Sequence, residues 1–353
     1  MHRPSVRLTA ACTTVAVLAT ACGQQVANPC DQAPWIGTRA HLLSNAGAPS
    51  AFSLGFDGSV REAKLQTLKP ASQLWTGATD PTGRSGATWE QFGDHRLVLR
   101  RGSRAVVIAR DVSSPPVWRP DGLAIAFGQA TSRAARLRIA DATHGWRPRE
   151  LTIALCSLGG PAWSPDGRML ALVSPLDARH CERGAELILV DAATGGIVGR
   201  QPTHGQVPTQ PTWSADGSYA SEAPVVYPTG IAIVPRSRAL GEARIIAHCT
   251  SSWWAPRGAR LVAACDDHLV TLDVLTGART DFDTPVIGPQ LGPVWSTDGR
   301  RLALVSEGAI VIAAISGHAT LVQFGGCLAV SVQRFTRDGR RVVVAANRAP
   351  PGD

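Results

Sequence analysis

The chain has 353 residues, 44% of them hydrophobic, and a mean hydropathy of +0.02, enough apolar material to bury a large core and too much for a chain that stays disordered. Its formal charge of +8 at pH 7 is carried almost wholly by arginine, since Lys64 and Lys69 are the only lysines, and without a dense basic block nothing points to nucleic acid. Two readings of the excess stay open: attraction to anionic lipid or wall polymer, and a solvated arginine-rich surface.

At the N-terminus Arg3 and Arg7 make a short positive region, and residues 8–20 make an apolar, small-residue stretch too short for a spanning helix. Leu18-Ala19-Thr20-Ala21-Cys22-Gly23 follows and resembles a bacterial lipobox, which implies cleavage before Cys22 and a lipid anchor on that cysteine. Ala19-Thr20-Ala21 is equally an A-x-A site for ordinary secretion. Both readings export the protein. The expected organisation is a signal peptide over 1–21, a polar tether over 22–35 and one domain over 36–353, placed outside the cytoplasm and held at the membrane, or secreted if Cys22 is not acylated.

Residues 51–56 and 59–65 alternate as two strands around Asp57-Gly58 and read as a hairpin. Further on, one unit recurs: Pro116-Val117-Trp118-Arg119-Pro120-Asp121-Gly122, then Trp163 with Asp166-Gly167, Trp213 with Asp216-Gly217 and Trp295 with Asp298-Gly299. Degenerate copies are Trp254 with Arg257-Gly258 and Phe335 with Asp338-Gly339, and Trp75 with Asp80 and Gly83 is a further candidate. From Trp75 the aromatic positions are 43, 45, 50, 41, 41 and 40 residues apart, the period of propeller blades. The aromatic is expected to fill the wedge between neighbouring blades, and Asp-Gly to make a turn in which the carboxylate caps backbone N–H groups. Apolar runs at 169–173, 260–264 and 301–305 give the next strand. Runs at 185–190 and 268–272 lead into Asp191…Thr194-Gly195 and Asp273…Thr276-Gly277, with a weaker copy at Asp141…His144-Gly145, and read as the turns from a third to a fourth strand.

These residues resemble the TolB-like, or PD40, propeller repeat, W-S-P-D-G followed by a basic residue and an apolar strand. The match is fullest at 163–168 and 295–300; Arg257 in place of Asp and Phe335 in place of Trp bear on the local turn and not on the architecture. The resemblance implies an all-β propeller of four-stranded blades. Counting marks gives seven blades, with the ring closed by N-terminal strands because only 18 residues follow Phe335; six follow if Trp75 lies in a loop, and Trp35 argues for eight.

With Cys12 in the signal and Cys22 assigned to lipid, six cysteines remain, an even number that favours disulfides in an exported domain. Cys249 and Cys265 flank Trp254 on strands expected to be adjacent and antiparallel, Cys156 and Cys181 flank Trp163 in the same way, and Cys30 with Cys327 is left by elimination. No nucleophile elbow, H-E-x-x-H, C-x-x-C or phosphate-binding glycine loop is present. His180-Cys181 and His248-Cys249 come nearest to a constellation and read as disulfides with exposed neighbours; Asp57-Gly-Ser and Asp266-Asp267 read as turn chemistry, since calcium needs six to eight oxygens. No metal or cofactor is expected, and the recurrent Asp121, Asp166, Asp216, Asp298 and Asp338 read as turn caps and not as catalytic acids. The leading functional expectation is a lipid-anchored, monomeric propeller that binds a protein, peptide or envelope polymer; an extracytoplasmic hydrolase or lyase with its site at the channel mouth is the alternative. The residues that differ between blades are where function is expected, above all the longer connections of the Trp118 and Trp163 units.

Overall fold

The computed structural model describes residues 50–55, 60–62, 76–79, 81, 85–89, 95–131, 135–155, 160–177, 180–203, 210–223, 230–266, 268–285, 293–306, 309–317, 319–323 and 327–348. Strands β1 (Ser50–Gly55) and β2 (Val60–Glu62) come first. Six sets of four follow in chain order. They are β3 (Thr76–Thr79), β4 (Ser85–Trp89), β5 (Leu97–Arg101) and β6 (Arg104–Ala109); β7 (Val117–Trp118), β8 (Ala124–Ala130), β9 (Ala135–Asp141) and β10 (Arg149–Leu155); β11 (Ala162–Trp163), β12 (Met169–Asp177), β13 (His180–Asp191) and β14 (Ile197–Thr203); β15 (Thr212–Trp213), β16 (Tyr219–Glu222), β17 (Ile231–Pro235) and β18 (Arg244–Ile246); β19 (Cys249–Trp254), β20 (Arg260–Cys265), β21 (His268–Asp273) and β22 (Arg279–Pro285); and β23 (Val294–Trp295), β24 (Arg301–Ser306), β25 (Ala309–Ala314) and β26 (Ala319–Gln323). The last two, β27 (Cys327–Phe335) and β28 (Arg341–Arg348), do not stand alone: they join the first two in the order β2-β1-β28-β27.

The described residues thus form seven four-stranded antiparallel sheets, and the fold is an all-β propeller. The hairpin expected at 51–65 is β1 against β2, with Leu54 opposite Val60. The third strand expected from Ala185 starts earlier, at His180, because β12 and β13 continue as a hairpin to the pair Asp177 and His180. Trp75, Asp80 and Gly83, Trp35 and all of residues 1–35 lie outside the described residues.

The repeated aromatic fills the wedge between sheets. Trp163 sits in one apolar cluster with Leu170, Leu172 and Ile188 of its own sheet and with Ala126, Leu137, Ile139 and Ile153 of the sheet before it. Trp118 does the same against Leu97 and Leu99, and Trp295 packs on Val262, Leu269 and Phe282. The indole adds a directional link. Nε1–H of Trp163 donates to Val117 O at 3.1 Å, and that of Trp213 to Ala162 O at 2.9 Å, so each ring is tied to the backbone one residue before the preceding repeat aromatic. The indole N–H groups of Trp254 and Trp295 are buried with no acceptor among the described residues.

The turn after the aromatic is a small hydrogen-bonded unit. In its fullest form Ser164 Oγ donates to Asp166 Oδ1 at 2.6 Å and accepts from Met169 N at 3.0 Å, Arg168 N donates to the same carboxylate oxygen, and Gly167 N donates to Ser164 O. Gly167 lies at φ +69, and a Cβ there would meet Arg119 Cγ at 2.8 Å. Ser214 with Asp216, Ser296 with Asp298 and Thr336 with Asp338 repeat the unit, while in the first copy Arg119 Nε takes the place of the hydroxyl on Asp121. Arg257 alters the turn and leaves the strand pairing in place: Gly258 keeps φ +68 and Ala255 N still donates to Arg260 O at 2.8 Å, but the bond from the turn glycine N–H to the carbonyl three residues before, present in the five other copies, is missing among the described residues here.

Part of the arginine excess is spent on joining sheets. Arg236 bridges to Asp166 of the preceding sheet at 2.7 Å, Arg301 Nη1 reaches Gly339 O at 3.1 Å and Arg149 donates to Ala192 O, while Arg341 Nε ties β28 to β1 within one sheet by donating to Ser53 Oγ at 3.0 Å. Arginine suits such links because its planar fork holds several donors at fixed angles.

Hydrogen bonding also makes the turns sensitive to acid. Burial tends to raise the Asp166 carboxyl, but donation from Ser164 and Arg168 N and the charge of Arg236 outweigh it and hold it below the usual range; Asp298 is lowered by Ser296 and Arg300 N, and Asp216 follows Asp166. At Asp141 burial is again outweighed, here by Thr143 and His144, and the carboxyl falls to about 2. Groups whose folded values are depressed stabilise the fold above their unfolded value and lose that contribution as pH falls through the folded one. The urea midpoint should therefore stay level from about pH 7 to about pH 4.5 and drop steeply from about pH 4 to about pH 2. A midpoint that holds at the acid end of that series would show that the turn carboxylates contribute nothing to stability.

Candidate functional site

The repeat residues named from the sequence are dispersed by the fold, one per sheet, each satisfied within its own turn. They do not converge. Cys249 and Cys265 form a disulfide between directly opposed positions of β19 and β20, buried to 0% and 2% exposure. Cys156 and Cys30 lie outside the described residues, as do the side chains of Cys181 on β13, Cys327 on β27 and His180. His248 is exposed at φ +61 beside the disulfide, and Asp267 falls outside the described residues. Among the described residues no group of three or more His, Cys, Asp and Glu could hold a metal ion.

The third-to-fourth connections vary from blade to blade, and two neighbouring ones frame a groove. Between β5 and β6 the chain reverses in two residues, Gly102 at φ +56 and Ser103, with Arg101 opposite Arg104. In the next sheet the third-to-fourth connection departs in the other direction. After Asp191 and after Asp273 the fourth strand begins six positions on, at Ile197 and Arg279, whereas after Asp141 it begins eight positions on, at Arg149, and after Pro235 nine positions on, at Arg244. Residues 142–144 take a 3-10 turn, capped by Asp141 Oδ1 accepting from His144 N at 2.9 Å, and Trp146 N returns to Asp141 O at 2.8 Å.

Trp146 is held at φ +64, a backbone conformation costing a bulky residue about 1–2 kcal/mol. The ring is placed by contacts on two sides. It meets Trp118 edge-on at 5.7 Å between centroids, and the Arg101 guanidinium lies 5.1 Å over it, an arrangement worth about 0.5–1 kcal/mol at an exposed site. Between the two turns runs a groove of about 400 Å³. Leu99, Arg101, Arg104 and the run Val106, Val107 and Ile108 line it from one sheet, and Gly145, Trp146, Arg147 and Pro148 from the other. No carboxylate among the described residues lines it. Arg101 Nε also donates to Ser85 Oγ at 3.0 Å, which fixes its stem, while Arg104 and Arg147 are exposed and have no ion-pair partner among the described residues. The chemistry offered is a strip of positive charge beside apolar and aromatic surface.

A second departure is buried. Two positions beyond the partner of the repeat aromatic, the second strand carries Phe127, Leu172, Ala263, Leu304 and Val344 in five sheets, and Glu222, 2% exposed, in β16. Aligning the repeats by their aromatics shows this exception in the sequence itself. The Trp146 turn carries only its length as a signal.

No protein-family model matches the chain, and no curated protein sequence does. Among solved structures, TolB from Acinetobacter baumannii is similar at 13% identity and a TM-score of 0.40 over 86% of this chain, which spans 66% of that one. The hydrazine synthase of Kuenenia stuttgartiensis is similar at 14% identity and a TM-score of 0.44, over 81% of this chain and 96% of that one. The C-terminal WD40 domain of Sif2 is similar at 12% identity and a TM-score of 0.49, over 83% and 85%. These likenesses are of fold alone, and with them the chain is similar to TolB and WD40 propellers without the comparison assigning it an activity or a partner.

Proposed function

We propose that this chain is an exported protein, anchored by lipid on Cys22, whose seven sheets close into one ring and serve as a binding and scaffolding module for a protein, peptide or envelope polymer. The observation that carries the binding role is the groove beside Trp146: it lies between the third-to-fourth turns of two neighbouring blades, and it presents arginines with no acid lining it among the described residues. Sites of function are expected where loops break the scaffold's rule. The buried Cys249–Cys265 bond supports an oxidising compartment and so supports export. The sheet shared by both chain ends supports a closed ring, because it pairs strands that would otherwise be open edges.

Two measurements test the proposal. Mass spectrometry of the mature N-terminus should find acylated Cys22; an unmodified Cys22 at the cleaved end would reduce the anchor to ordinary secretion. A photo-crosslinking residue placed at Val107 in cells should give reproducible adducts with an envelope component, while one at Leu275, 66% exposed on a different turn, should give none. Equal labelling from the two positions, or none from Val107, would remove the groove from the binding surface.

A further inference from the structure

Resting on the reading of this groove as the binding surface, we infer that its occupant is an extended acidic segment of another protein, added as a fifth strand along β6. The backbone of β6 makes the first argument. In the order β3-β4-β5-β6 this strand is the edge, and among the described residues no backbone group of Arg104, Ala105, Val106 or Val107 is bonded to anything beyond β5. An edge of this kind offers N–H and C=O groups at strand spacing, and an incoming main chain is the ligand that matches both at once.

The faces of β6 make the second. Val106 and Val107 alternate across the strand, yet they are 58% and 42% exposed, so neither face is covered by a neighbour. The edge strand β14 also exposes neighbouring residues at its start, Ile197 and Val198 at 42% and 49%, but its middle is covered: at Gly199 a Cβ would strike Val234 Cγ1 at 2.8 Å, because the next sheet is packed against it. A register shift at Ile108 ends the regular part of β6, which leaves the four residues from Arg104 to Val107 as the template, about 14 Å of strand and room for about five residues of partner.

Charge makes the third. Arg104 at the start of the strand, Arg101 across the turn and Arg147 on the opposite wall surround the template, with no acid in the groove among the described residues. Each presents a fork suited to a carboxylate, and the Trp146 face beside them takes an apolar side chain. A lipid surface or an anionic polymer would satisfy the arginines and leave the strand edge unused. A peptide uses both.

The test uses the full mature chain carrying Cys22→Ser, with a fluorescein-labelled peptide of four Glu-Val repeats as probe. Binding read by fluorescence anisotropy should weaken about tenfold or more in Arg104→Glu and in Arg147→Glu, and should fall with added salt. Replacing Glu by Gln throughout the peptide should cost as much. The strand component is read by N-methylating every second residue in two phases: one phase blocks the edge turned to β6 and should abolish binding, and the other blocks the outer edge and should leave it unchanged. Equal behaviour of the two phases, equal binding of the Gln peptide, or binding to phosphatidylglycerol vesicles in place of the peptide would each overturn the inference. Urea midpoints equal to the parent's identify the arginine variants as folded, and the phase comparison needs no variant at all. If the peptide fails while crosslinking from Val107 persists, the groove remains a binding surface for a different chemistry.

Discussion

Trp163→Ala should destabilise the protein by about 3–5 kcal/mol, the loss of a large core side chain together with the cavity it leaves. The residue is 9% exposed and belongs to two sheets at once, so the void opens between blades, where Leu172 and Ile188 on one side and Leu137 and Ile153 on the other would have to move together to fill it. Equilibrium urea unfolding followed by far-ultraviolet circular dichroism measures the effect. The informative companion is Phe. At position 163 Phe keeps most of the packing but leaves Val117 O without its donor, which should cost about 1–3 kcal/mol. At position 295 the same change removes an indole N–H that is buried without an acceptor, and stability should hold or rise. Equal losses at the two positions would show that the cross-sheet hydrogen bond contributes nothing beyond the ring.

Replacing Cys249 and Cys265 together by Ala should lower stability by about 3 kcal/mol, since the bond closes a loop with a sequence separation of 16 residues. Both cysteines are buried between β19 and β20, so a reductant should not reach the bond in the folded protein. The same concentration of reductant that leaves the native state untouched should then speed loss of structure once unfolding begins in urea. Thiol labelling with mass detection follows it directly. Labelling of Cys249 or Cys265 in native protein under reductant would place the bond at an accessible site and reverse this expectation.

The architecture was legible because it is written in the turns. Each Trp-x-x-Asp-Gly unit binds residues within a few positions of one another, so its meaning survives without knowledge of anything distant: Asp166 caps Arg168 N, and Gly167 takes the positive φ. The hydroxyl at Ser164, Ser214 and Ser296 was visible in the repeat but its role was not, because a serine before Pro or Ala has many uses and only the fold brings its Oγ between the carboxylate and the next strand. Arg257 taught the opposite lesson. A change in the most recognisable polar position of the repeat removed the bond of the turn glycine N–H and left the strand pairing intact, since the ladder bond from Ala255 N carries it.

The site was less legible for a physical reason. Its walls come from residues about forty positions apart in the chain, and each wall is ordinary alone: Arg101-Gly102-Ser103-Arg104 reads as a hairpin, Gly145-Trp146-Arg147-Pro148 as a loop. The expectation that function lies in departures from the repeat points to the same connection of the Trp118 blade as the proposed groove. What it lacked was the orientation of Trp146, which depends on Asp141 O receiving its N–H and on Trp118 standing beside it.

The sheet that mixes the two chain ends has a consequence for synthesis. Ser53 and Arg341, joined by a hydrogen bond, are 288 positions apart, whereas the middle sheets are assembled from strands that follow one another directly. Of the described strands, β1 and β2 are made before the others and are yet among the last to find their place, and such long-range pairing is slow compared with local hairpins. Until β28 arrives, the Ala51–Leu54 edge of β1 is an open apolar template, the kind of surface chaperones and aggregation compete for. Shortening the chain before β27 would leave that edge open for good, so the integrity of the final residues decides the fate of the first.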